Sequence, residues 1–85
     1  MQQIKVVVTK DDIDNGVRGM HTKCPVSLAL KRLGFENPVV GRDRFTYAKE
    51  DTFKICNLPQ VAKDFIRSYD NTGWTVEPVE FWISI

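Results

Sequence analysis

Gly16-Val-Arg-Gly-Met-His-Thr-Lys-Cys-Pro-Val-Ser-Leu-Ala-Leu-Lys-Arg-Leu-Gly34 decides how the chain is read, because a glycine-punctuated basic loop runs straight into a well-marked helix. Pro25 suits the first helical position, where an N–H would have no intrahelical partner. Gly34 suits the left-handed residue just past the end, with Phe35 able to fold back on the last turn. Between them Val26, Ala29, Leu30 and Leu33 recur at i, i+3, i+4 and i+7 as one apolar stripe. Lys31 and Arg32 stand where the helix dipole favours cations. The spacing predicts a helix of about three turns that packs by a narrow face.

Upstream, Ile4, Val6 and Val8 alternate as a strand over about residues 3–9. Thr9-Lys-Asp-Asp12 has the spacing of a capping box, with Asp in the place of Glu. It predicts one helical turn, anchored by Ile13 and ended by Gly16. Downstream, Val39-Val40-Gly41 reads as a short strand entered through Pro38, with Gly41 as a bulge joining 39–48 into one bent strand. Arg44–Ala48 and Thr52–Cys56 alternate and predict an antiparallel hairpin around Lys49-Glu50-Asp51. Phe45 and Tyr47 share one face, and Phe53 and Ile55 share another. Asn57 is the expected cap of a second helix whose stripe is Leu58, Val61, Ala62, Phe65 and Tyr69, widened by Ile66. The last strand runs over about 75–85, with Val79, Phe81, Ile83 and Ile85 opposed to Glu80, Trp82 and Ser84. The order βαβββαβ describes one α+β domain over residues 1–85, two helices covering one face of a mostly antiparallel sheet. Its terminal strands are expected to be neighbours.

The composition narrows the function. A chain of 85 residues buries only about 60–65% of its unfolded surface, which leaves little room for a spare polar site in the interior. Twelve Lys plus Arg against eleven Asp plus Glu give a net charge of +1, so no global field draws it to nucleic acid or to an anionic membrane. Arg42, Arg44, Tyr47 and Lys54 have the composition of a single-strand binding platform, and the same charge balance argues against it. The two cysteines, Cys24 and Cys56, lack zinc-site spacing and the one histidine, His21, cannot complete a tetrahedral set. No metal or cofactor is expected. Neither a signal peptide nor a spanning helix is legible, and the expectation is a cytoplasmic protein with reduced thiols.

Chemistry has one candidate location, the loop and helix start at Gly16, Arg18, Gly19, His21, Thr22, Lys23 and Cys24. Free N–H groups and the positive dipole end of a helix attract phosphate or carboxylate. The glycines would admit a ligand to the backbone, and Arg18 and Lys23 would supply charge. Such a loop is common before helices, and plain turns with solvated side chains are the preferred reading of it. Cys24 beside a helix N-terminus, with His21 three residues away, has the elements of a thiol nucleophile and its base, without an identifiable third group. Partner contact has other candidates. Leu28 falls about 160–180° from the apolar stripe. Trp74 and Trp82 are of the type enriched in interface hot spots. Trp82, near Lys5, Val7 and Thr9, would mark an uncovered sheet face that suits a partner protein or a second copy of the chain.

The pattern Val8-Thr9 with Asp12-Ile13 and Gly16, then Cys24-Pro-Val-Ser-Leu-Ala-Leu30, then Leu58-Pro59 with Val61 and Phe65-Ile66 with Tyr69-Asp70, resembles a family of small bacteriophage and prophage proteins of unknown function. The likeness spans most of the chain. Members commonly carry a small residue such as Ala where Ser27 stands, a departure expected to change little. The resemblance implies a viral protein in the bacterial cytoplasm, of a class whose small non-enzymatic members often bind a host factor or a defence component. The leading expectation is therefore a binding protein acting on a host protein. Sequestration of a phosphorylated or nucleotide ligand at 16–25 comes second, and a thiol enzyme using Cys24 and His21 third.

Overall fold

The computed structural model describes residues 2–72 and 76–85. Within them the chain runs β1 Gln3–Val8, α1 Lys10–Asn15, α2 Pro25–Arg32, β2 Glu36–Val40, β3 Arg44–Lys49, β4 Thr52–Asn57, α3 Gln60–Thr72 and β5 Val79–Ser84. This is the α+β order read from the sequence, with the single turn at Lys10 standing as a helix of its own. The sheet departs from the expectation of one layer. Antiparallel β1 and β5 form one sheet, and the antiparallel meander β2-β3-β4 forms another. Chain ends meet as expected, with Val6 opposite Phe81 and Ile4 opposite Ile83.

The helix boundaries follow the signals in the sequence. At α1 the Thr9 N–H donates to Asp12 Oδ2 at 2.9 Å and the Asp12 N–H to Thr9 Oγ1 at 3.2 Å, a reciprocal capping box. At the end of α2, Phe35 N–H reaches Leu30 O at 3.1 Å and Gly34 N–H reaches Lys31 O at 3.0 Å, with Gly34 at φ 103°. That is the Schellman arrangement, and its left-handed residue favours glycine. Leu33, expected on the apolar stripe, is exposed, because as the cap it has already turned away from the core.

Pro38 lies inside β2 rather than before it. The register slips between Glu36 and Val39, and Asn37 takes φ 50°, so the bulge falls where proline has no N–H to give. Gly41 is correspondingly not a bulge. Its N–H donates to Arg44 O at 2.8 Å and closes a two-residue turn between two separate strands. The stripe holds at Leu58, just before α3, and at Ala62, Phe65 and Tyr69 within it, while Val61 is exposed. Asn57 belongs to β4, and the Pro59 carbonyl accepts the first bonds of α3. The last strand, β5, is described from Val79 and leaves Pro78 outside the ladder, while Thr75, where it was expected to begin, lies outside the described residues.

The core joins both sheets to all three described helices through Val6, Val8, Ile13, Val26, Leu30, Phe45, Phe65, Phe81 and Ile83. Phe35 packs edge-on against Phe45 and Tyr47, at centroid distances of 5.6 and 4.8 Å. Beside this core Arg32 grips Asp12 by its two terminal guanidinium nitrogens, at 2.7 and 2.9 Å, and Nη2 also donates to Val7 O at 2.7 Å. One side chain thus ties α2 to α1 and to β1.

Candidate functional site

The loop from Gly16 to Cys24 is closed on itself. Val17 N–H donates to Lys23 O at 2.8 Å, Met20 N–H to Val17 O at 3.2 Å and Lys23 N–H to Met20 O at 3.1 Å. Gly19 sits at φ 82°, the left-handed conformation that favours glycine, with open space around it. Gly16 serves a different need. A Cβ there would lie 2.7 Å from Pro25 Cδ and 2.9 Å from Asp12 O, so the residue lets α1 and the start of α2 approach.

Two clips hold the loop to β2. His21 Nδ1 lies 2.7 Å from Val40 O; a carbonyl only accepts, so Nδ1 carries the proton and Nε2 is the nitrogen left over. Val40 N–H returns to His21 O at 3.0 Å. The fully buried Ser27 hydroxyl faces Thr22 O at 3.1 Å and Pro38 O at 3.0 Å. Serine at this position thus fastens loop and strand to α2, where a small apolar residue was expected to serve equally.

The helix start differs from an open anion cradle. Pro25 has no N–H, and the Ser27 N–H is directed at Cys24 Sγ at 3.4 Å, as the Val26 N–H is. Cys24 is itself the N-cap, so the donors that a phosphate would use are turned toward its sulfur. Arg18, Thr22 and Lys23 are exposed. Burial, with the charges of Cys24 and Asp70, pushes the Tyr69 phenol up, against the opposing charge of Arg18. Gly19, His21 and Cys24 come together with Val40, Arg42 and Asp70 around a hollow of about 210 Å³.

A thiol nucleophile needs an easily formed thiolate. Burial pushes the Cys24 thiol above its ordinary 9.0, outweighing the amides that favour the thiolate. Iodoacetamide labelling of Cys24 is therefore expected to be slow at pH 7 and to rise only at a pH above that of a free cysteine peptide. Labelling that is fast at pH 7 would support the nucleophile reading instead. Cys56 is buried, and its Sγ points to Ser84 O at 3.4 Å, where β4 approaches β5.

Of the partner-contact candidates, Leu28 is half-buried rather than exposed. Trp74 lies outside the described residues. Trp82 is 57% exposed on the outer face of β5, opposite Lys5, and Lys5 pairs with Glu80 at 3.2 Å beside it.

A larger apolar surface stands on the other sheet and was not picked out from the sequence. Phe53 is 74% exposed and Ile55 65%. Val39, Thr46 and Ile55 form one row across β2, β3 and β4, and Ala48 and Phe53 are partners in a neighbouring row. The alternation that put Phe53 and Ile55 on one face was legible. Which face would be covered was not, because the alternation of β3 buries Phe45 and so turns Phe53 and Ile55 outward through the pairing.

Beside α3 a second hollow of about 530 Å³ is lined by Arg42, Lys63, Arg67 and Asp70, and Asp64 holds Arg67 at 2.9 Å. Among the described residues no group of His, Cys, Asp and Glu could hold a metal ion, and no helix is long and apolar enough to cross a membrane. No protein-family model, curated protein or solved structure matches the chain.

Proposed function

We propose that this chain is a non-enzymatic binding protein that holds another protein against the outer face of the β2-β3-β4 sheet. The observation that carries the reading is the adjacent exposure of Phe53 and Ile55, with Val39 in the same cross-strand row as Ile55. Large apolar side chains gathered on one side of so small a domain mark an interaction surface. Trp82 and Val7, exposed on the β1-β5 sheet, extend the apolar surface available to a partner. The raised Cys24 thiol and the inward-turned donors of α2 favour binding over catalysis. The resemblance to small phage proteins makes a host protein of the bacterial cytoplasm, a defence component among them, the expected partner.

The test compares the native chain with a Phe53→Ser, Ile55→Thr double variant, both immobilised and exposed to bacterial lysate. A protein retained by the first, lost by the second, and then bound by the native chain when purified is the expected result. Identical retention on both, or rebinding that ignores the substitutions, would remove this face from the function.

A further inference from the structure

The sheet edges are unequally protected. On β2, Pro38 interrupts the donors, Ser27 takes Pro38 O, and His21 occupies both the N–H and the carbonyl of Val40. On β1, Arg32 covers Val7 O. On β5, the Cys56 thiol covers Ser84 O. Among the described residues no side-chain hydrogen bond covers Thr52–Ile55 of β4, and these four residues are exposed on both faces of the strand, with β5 approaching β4 where Cys56 meets Ser84.

The pairing shows which backbone groups are open. Glu50-Asp51 closes the hairpin on the pair Lys49–Thr52, and in a two-residue hairpin that pair and every second one after it exchange hydrogen bonds. Thr52, Lys54 and Cys56 therefore bond to β3. The Gly41–Arg44 bond agrees, since it directs Arg44 toward β2 and leaves the alternate residues of β3 for β4. Phe53 and Ile55 are left with N–H and C=O pointing out of the sheet edge, and their side chains stand on the apolar outer face.

We infer that β4 accepts an extended segment of a partner protein as an added antiparallel strand, one in which an acidic residue stands between two apolar ones. This inference rests on the binding reading above and names its mode. Main-chain bonds to Phe53 and Ile55 supply the attachment, and alternate side chains supply selectivity. The apolar residues lie opposite Phe53 and Ile55. The acidic residue lies opposite Lys54 on the other face, where Lys49 also stands, and among the described residues neither lysine has an ion pair. The same lysine disfavours a second copy of the chain. The two-fold register that sets Phe53 against Ile55 puts Lys54 against Lys54, and like charges directly opposed in a sheet destabilise it. The register that sets Phe53 against itself places Ile55 on Asp51. An edge lysine is a common guard against self-pairing.

The probes are two ten-residue synthetic peptides of valine alternating with threonine, one with a central glutamate and one with a central lysine. Each is titrated into the full-length, nitrogen-15-labelled chain. The glutamate peptide is expected to move the amide resonances of residues 52–55 and to bind at least tenfold more tightly than the lysine peptide. Lys54→Glu is expected to reverse that order, and Phe53→Pro, which removes an outward N–H, to abolish binding. Should the proline variant fail to fold, the Lys54→Glu reversal alone decides. Unmoved resonances at 52–55, or a preference that Lys54→Glu leaves unchanged, would overturn the proposal. So would sedimentation showing a Phe53-dependent dimer without peptide, which would give the edge to a second copy. Partner capture that depends on Phe53 while neither peptide binds would defeat strand addition and leave the binding reading standing. Loss of both would defeat both.

Discussion

Arg32→Ala is expected to lower the unfolding free energy by about 3 kcal/mol at pH 7, the lower end of what breaking a buried ion pair costs, since the Arg32 side chain is half exposed. The cost arises from what remains. Asp12 is only 5% exposed, and without the guanidinium its carboxylate keeps the Thr9 cap as its partner. Val7 O loses its side-chain donor at the same time. For a domain whose whole stability is about 4–13 kcal/mol, such a loss is a large fraction.

The same pair has a pH signature. Burial alone would push the Asp12 carboxyl up, but the hydrogen bonds from Arg32 and Thr9, with the charge of Arg32, outweigh it and hold the carboxyl below its ordinary 3.8. A depressed carboxyl stabilises the fold at pH above the unfolded value, and that contribution is lost as the pH falls through the folded one. In Arg32→Ala burial acts unopposed by the guanidinium, so the carboxyl rises and its protonation relieves the penalty. Urea unfolding of both proteins should thus show a gap that is widest near neutrality and narrows on acidification toward pH 4. A gap below about 1 kcal/mol, or one independent of pH, would mean that Arg32 acts only as surface charge.

Gly16→Ala is expected to cost about 2–3 kcal/mol, the upper part of the range for forcing extra volume into a packed contact. The added Cβ meets a proline ring at 2.7 Å and a backbone oxygen at 2.9 Å, neither of which is the free end of a flexible side chain. That oxygen, Asp12 O, also accepts the Gly16 N–H, so relief of the clash stretches the bond that ends α1. The midpoint of thermal unfolding should fall by roughly 8–24 °C, at about 4–8 °C per kcal/mol for a domain of this size. Gly19→Ala is the contrast. Its Cβ meets nothing, and only the left-handed backbone is strained, for about 1–2 kcal/mol. Equal losses in the two variants would refute the steric role of Gly16.

These residues show where sequence reading reached its limit. Gly16, Gly19 and Cys24 were legible as a loop entering a helix, and the loop and helix are where the sequence placed them. Their roles were not legible, since each depends on a neighbour distant in sequence or on a direction of approach. Gly16 answers to Pro25, and His21 answers to Val40. A thiol one residue before a helix reads as activated when only the dipole is considered, and as suppressed once its burial is known.

What the sequence by itself determined is local: the capping box at Thr9, proline at the start and glycine at the end of α2, the hairpin around Glu50-Asp51 and the apolar stripe of α3. Each is set by φ preferences, backbone donors and periodicities within a few residues. Only the tertiary structure decided that the strands divide into two sheets, that Arg32 bridges three elements and that Phe53 and Ile55 face outward beside an open edge. Alternation assigns side chains to faces, but which face is covered depends on burying Phe45 against Phe35 and within the common core, a free energy summed over contacts between residues far apart in the chain.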